Sequence, residues 1–380
     1  MALATYTETR AATVGDYFAL LKPRVMSLVI FTGLAGIVAA PGEIHPMVAF
    51  TALLCIAVAA GASGALNMAY EADIDRLMAR TATRPIPAGH IAPGEALGFG
   101  WTLSVAAVTV MGLFVNVLAA GLLAFTIFIY VGVYTLWLKR RTPQNIVIGG
   151  LSGALPPAIG WAAVTGDLSL APILFVAVIF MWTPPHFWAL SLWRSGDYAR
   201  AGVPMMPVVR GKASTRRQIL AYTAVLIPLG LAPAAIGAAG PLYAAAAGLI
   251  GAWFAVEAVA TFRETDAVKE PAAKRLFRVS LVYMFALFAC LIVERLFHIA
   301  PSRPGCDRDE RHRRQGPPPA LHRHRARARR TGGSVLHHDA GAGSPVGEGF
   351  KMAIQRSSTT TTWSTPARGP SSARSPPSRC

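Results

Sequence analysis

The sequence predicts an all-α polytopic membrane protein of nine helices followed by a disordered, basic tail. Three observations predict it. The 380 residues are 53% hydrophobic and only 14% charged, well below the quarter of charged residues usual in soluble domains. Long stretches carry no charge: none lies between Glu95 and Lys139 or between Arg217 and Glu257, and only Asp167 lies between Arg141 and Arg194. Of the loops between the expected helices, only alternate ones carry Lys or Arg.

A span needs about 20 apolar residues, so each long run holds two. Small or turn residues divide them, at 116–121, at Thr165-Gly166-Asp167 and at 237–241. Helices are expected at roughly 17–40, 46–70, 94–115, 119–138, 144–164, 169–192, 218–237, 242–262 and 277–298. Arg76, Arg80 and Arg84 follow the second helix and Lys139, Arg140 and Arg141 the fourth. Arg194, Arg200, Arg210 and Lys212 follow the sixth, and Arg263, Lys269 and Lys274 the eighth. The other loops (PGEIHP, NVLAAG, VTGDLS, GAAGPLY) have no Lys or Arg. The positive-inside rule therefore puts the even-to-odd loops and the N-terminus in the cytoplasm. Residues 1–16 form a short cytoplasmic segment with no separate apolar core typical of a removable signal peptide, and 17–300 the membrane domain. Cys55 and Cys290 read as small apolar packers.

Residues 301–380 change character. They hold 15 Lys/Arg against 5 Asp/Glu, supplying +10 of the net charge of +17, and 10 of the 28 prolines. Such a segment reads as disordered and low in complexity. Its Arg/Pro/Ala/Gly/Ser/His mixture resembles GC-rich DNA read in a shifted frame, an artefactual extension. Its charge therefore says little about partners, and no nucleic acid is expected.

The second helix ends in LNMAYEADIDR. Asn67, Glu71 and Asp75 recur at i, i+4 and i+8 and share one helical stripe. Like charges at that spacing repel, and acids are costly near hydrocarbon. A hard divalent cation such as Mg²⁺ would offset that cost, with substrate phosphates completing its shell. Acids solvated at a helix end and paired with Arg76 or Arg80 are the plainer alternative. The flanking Arg76, Arg80 and Arg84 suit phosphate oxygens through their fork geometry. Together they suggest a diphosphate-bearing substrate at the membrane surface.

The sixth helix ends in TPPHFWALSLWRSGDYARAGVPMMPVV. Pro184-Pro185 is expected to interrupt it, with His186, Trp188, Asp197, Tyr198 and Arg200 beyond the break. His186 has two readings, a ligand contact or a partner for carbonyls freed by the prolines. YTLWLKRRTPQNIVIGG places Lys139 and Arg140 at the turn after the fourth helix, and Gly149, Gly150 and Gly153 offer close helix approach. Lys22 and Arg24 of LLKPRVM add cations at the start of the first helix.

These four strings, in their order along the chain over about residues 10–300, resemble the intramembrane prenyltransferases of the UbiA type, and among them those that farnesylate haem. The resemblance implies nine helices around a central cavity. It implies transfer of farnesyl from farnesyl diphosphate to a vinyl group of haem B, with water addition, giving haem O and diphosphate. The family's Asn-x-x-x-Asp-x-x-x-Asp motif falls on Asn67, Glu71 and Asp75, with Glu in place of the middle Asp, and Asp197 matches the second motif. Those four would be catalytic and hold Mg²⁺ through the diphosphate. Lys22, Arg24, Arg76, Arg80, Arg84, Lys139 and Arg140 would bind diphosphate, and His186, Trp188 and Tyr198 haem. It further implies a bacterial cytoplasmic (inner) membrane enzyme in contact with the lipid bilayer, whose product passes to a haem A-forming enzyme or terminal oxidase assembly factors. The competing readings are a sibling enzyme with an aromatic or quinone-precursor acceptor, and a transporter.

Overall fold

The structure is a computed structural model that describes residues 12–79, 81–266 and 268–297. The tail expected at 301–380, residues 1–11 and Arg80 lie outside the described residues, as does the side chain of Arg24. Among the described residues every regular element is helical. Eight helices are long and apolar enough to cross a membrane, and a ninth span is a bent pair. The chain is thus an integral membrane protein.

In chain order the elements are α1 (Val14–Leu20), α2 (Pro23–Ala39), α3 (Pro46–Tyr70), α4 (Ala72–Leu77), α5 (Pro93–Phe114) and α6 (Val117–Ile127), which runs on as a π-helix, Phe128–Leu138. Then come α7 (Asn145–Ala154), α8 (Pro156–Thr165), α9 (Leu170–Trp193), α10 (Ser195–Arg200), α11 (Met206–Val209), α12 (Gly211–Ala235), α13 (Pro241–Phe262) and α14 (Pro271–Leu296). One apolar cluster joins α2, α3, α5, α6 and α8 around Ile56, Leu66, Met111 and Ile159. A second joins α9, α12, α13 and α14 around Trp188, Phe254, Tyr283 and Leu287. Helix α2 links them through α8, with backbone-to-backbone contact. A Cβ on Gly36 would lie 2.1 Å from the Pro157 carbonyl oxygen, and one on Gly160 2.2 Å from that of Gly33.

Four expectations need correction. The first span is not one helix. It turns by 60° between Val14–Leu20 and Val25–Ala39, because Pro23 forbids a continuous ladder and Lys22 takes the left-handed conformation, φ 50°. Helices seven and nine begin at Gly211 and Pro271, six to seven residues earlier than expected. The extra turn of α12 carries Lys212 and Arg216, which meet the residue capping α14: buried Glu270 receives Arg216 at 2.8 Å and Lys212 at 3.2 Å. Charge alone had suggested loop.

Pro184-Pro185 does not interrupt the sixth span either, since α9 is continuous through both. Membrane helices tolerate proline where neighbours hold the segment. Here Trp182 ties α9 to α14, donating its Nε1–H to the Ser280 carbonyl at 2.8 Å. The proline pair that does mark a helix boundary is Pro156-Pro157, between α7 and α8. Finally, the fourth span widens to a π-helix over its last eleven residues. Gly149 and Gly150 do serve close approach, to Tyr134 and Thr183, whereas Gly153 faces open space.

At the opposite end, Glu294 is fully buried and accepts from the backbone N–H groups of Gly240 and Tyr243. It satisfies otherwise orphaned donors at the start of α13 and meets the positive end of that helix.

Candidate active site

Asn67 sits in the last turn of α3, Glu71 at the junction with α4, and Asp75 within α4. All three are buried, at 4%, 2% and 3% exposure, so the solvated-acid alternative fails for this stripe. Solvation is replaced by cations, two of them from distant segments. Lys22 Nζ donates to Asn67 Oδ1 at 2.9 Å. Lys139 Nζ forms an ion pair with Glu71 Oε2, and Arg84 Nη1 lies 2.7 Å from Asp75 Oδ2. Asp73, which points away from the stripe, takes a two-pronged contact from Arg140 at 2.7 and 2.9 Å. That guanidinium holds the Asp73 carboxyl below the usual carboxylate range.

Three chain segments are thereby gathered at one end of the bundle. Lys22 comes from the α1–α2 bend, Lys139 and Arg140 from just past the π-helix, and Arg84 from the turn-rich stretch after α4. The stretch is anchored by Ile86 and Ile91, buried against Leu20, Ala65 and Met68, and by His90 facing Asp16 at 3.2 Å. A small apolar cluster of Ile74, Met78, Ile146, Val203 and Met205, with Tyr134 and Tyr198 packed on it, ties α4, α7 and the loop after α10 together.

The donor set fits a hard cation. Glu71 Oε1 is buried with no hydrogen-bond partner, an acceptor that costs free energy unless a donor or cation arrives. Among the described residues, no three His, Cys, Asp or Glu side chains already converge as a cation cage. The acids are instead each neutralised by a cation of the chain. Asp197 follows the same pattern within α10, paired with Arg194 and Arg200. Its neighbour Tyr198, in the cluster with Ile74, links the two acidic motifs. Arg76 is exposed at the end of α4.

His186 is 7% exposed and lies between the rings of Trp182 (4.3 Å) and Phe277 (4.4 Å), with Nδ1 2.6 Å from Ser280 Oγ. Its polar partner is thus a serine of α14. Trp188 points elsewhere, fully buried and edge-on to Tyr222 of α12. Sequence reasoning missed Thr135, buried at 3% and bonded to Asn67. Its only signal was its place four residues before Lys139 in the YTLWLKRR string.

The protein is similar to curated relatives that bear one name. It is 60% identical over 294 residues to a protoheme IX farnesyltransferase of Parvibaculum lavamentivorans, covering 77% of this chain and 92% of that one. It is 59% identical to that of Azorhizobium caulinodans, covering 77% and 96%. The fold matches a digeranylgeranylglyceryl phosphate synthase structure with a TM-score of 0.63 at 16% identity, over 74% of this chain and 98% of that chain. It also matches a UbiA homologue from Archaeoglobus fulgidus bound to DMAPP and Mg²⁺, with a TM-score of 0.56 at 17% identity, over 73% and 99%. The family model for UbiA prenyltransferases covers residues 28–286. On that span and those identities, the chain belongs to the UbiA prenyltransferase family.

Proposed function

We propose that the protein transfers a farnesyl group from farnesyl diphosphate to a vinyl group of protohaem IX, giving haem O, at the cytoplasmic face of a bacterial inner membrane. One observation carries the site assignment: Asn67, Glu71 and Asp75 are buried side by side, each facing a Lys or Arg, with one Glu71 oxygen left unpartnered. Names borne by relatives at about 60% identity support the acceptor.

Mg²⁺, when bound, would neutralise the leaving diphosphate. Asn67, Glu71 and Asp75 would hold it, with Asp197 joining through the diphosphate. Lys22, Arg84, Lys139 and Arg140 then exchange their carboxylate and amide partners for phosphate oxygens, which match charged N–H donors well. The C1–O bond of farnesyl diphosphate breaks with its electron pair going to diphosphate. The vinyl carbon of haem adds to C1, and the cation formed on its neighbour takes the oxygen of water, which loses a proton. The buried setting keeps that water from the allylic cation until the new bond forms. His186 and Tyr198 are assigned to the haem side; Trp188, fully buried against Tyr222, is not. Replacing His186 by Ala is expected to impair haem use while sparing farnesyl diphosphate binding.

The test is mass spectrometry of haem extracted after the purified full chain is incubated with haem B, farnesyl diphosphate and Mg²⁺. Wild type should yield haem with the mass of farnesyl plus water added, and Glu71→Gln and Asp75→Asn should not. Diphosphate release only with an aromatic acceptor would discard haem and keep the family.

A further inference from the structure

One side chain bonded to the first motif lies outside it. Thr135, in the π-helical stretch, donates its hydroxyl proton to the Tyr130 carbonyl, five residues back, at 2.8 Å. A hydroxyl has a single proton to give, so towards Asn67, 3.2 Å away, Thr135 Oγ1 can only accept. The group facing it must therefore be the Asn67 NH₂. The amide oxygen is turned to the other side, where Lys22 Nζ meets it at 2.9 Å. A flipped amide would set two acceptors against each other at Thr135 and two donors against each other at Lys22, in a place where neither Thr135 nor Asn67 is more than 4% exposed. The widened helix makes this possible. Threonine in an α-helix reaches back three or four residues, whereas the π register adds a residue to the turn and brings the fifth carbonyl within reach.

We propose that Thr135 is a positioning residue that locks the Asn67 amide with its oxygen towards the cation site, and so sets the affinity for the divalent cation and diphosphate together. This rests on Asn67 serving as an oxygen ligand in the proposed reaction.

The test is calorimetric titration of the full chain in lipid nanodiscs with farnesyl diphosphate, with and without Mg²⁺. Thr135→Val keeps the shape and loses the acceptor; Thr135→Ser loses the methyl and keeps the hydroxyl. The valine variant should bind about tenfold more weakly in Mg²⁺, the size of one lost buried hydrogen bond, and the serine variant within about twofold of wild type. In an Asn67→Asp background the valine penalty should vanish, because a carboxylate presents an oxygen to either side. This comparison stands even if Thr135→Val lowers stability, since both backgrounds share that loss. Equal binding by Thr135→Val and wild type would overturn the proposal, as would an equal penalty in serine or an undiminished penalty in the Asn67→Asp background. Absence of Mg²⁺-dependent binding by folded wild type would overturn the substrate reading itself, and the Thr135 assignment with it.

Discussion

Lys139→Met is the most direct probe of how the site is held together before substrate arrives. Lys139 is the partner of Glu71, whose side chain is 2% exposed and whose second oxygen has no hydrogen bond. Removing the lysine leaves a buried carboxylate without any partner, which costs about 3–5 kcal/mol in well-buried pairs. Lys139 is itself 19% exposed, so water can follow into the gap and the lower figure, about 3 kcal/mol, is the better expectation. For a domain of this size about 1 kcal/mol moves Tm by roughly 2 °C, giving a fall of about 6 °C. The assay is thermal unfolding in lipid nanodiscs at fixed scan rate, followed by tryptophan fluorescence. Adding Glu71→Gln to the variant removes the stranded charge and should recover most of the loss, because deleting both members of a buried pair is often nearly neutral. The double variant should remain inactive. A fall of less than about 2 °C in Lys139→Met, or no recovery in the double variant, would refute the account of Glu71 as a buried charge dependent on Lys139.

Gly36→Ala should be among the most damaging single changes, because its Cβ would sit 2.1 Å from the Pro157 carbonyl oxygen; α2 and α8 must separate, and a loss of roughly 3 kcal/mol or more is expected as poor yield of folded protein. Gly149→Ala would drive a Cβ to 2.3 Å from the Tyr134 ring, beside Thr135, and should weaken Mg²⁺-dependent farnesyl diphosphate binding more than it lowers Tm. Arg84→Ala should weaken that binding about tenfold or more, while Arg76→Ala, at an exposed position, should change it less than twofold in the same titration.

Sequence alone determined the membrane class, the approximate spans and the acids and cations that gather at one end of the bundle. These follow from local quantities: about 20 uncharged residues per span, Lys and Arg on alternate loops, and acids recurring at helical spacing. It also picked out Asn67, Glu71, Asp75, Lys22, Arg84, Lys139 and Arg140, which the fold brings together. It did not determine which cation meets which acid, because Lys22 is 45 residues from Asn67 and Lys139 is 68 from Glu71, and such pairings are set only when helices pack. The same reason explains the helix that runs through Pro184-Pro185 and the interruption at Pro156-Pro157: a proline removes the same donor in both places, and the neighbours that hold the segment differ. Only tertiary structure turned the fourth span into a π-helix over Phe128–Leu138 and placed Thr135 against Asn67, because a buried amide's orientation is decided by the donors and acceptors that packing sets around it.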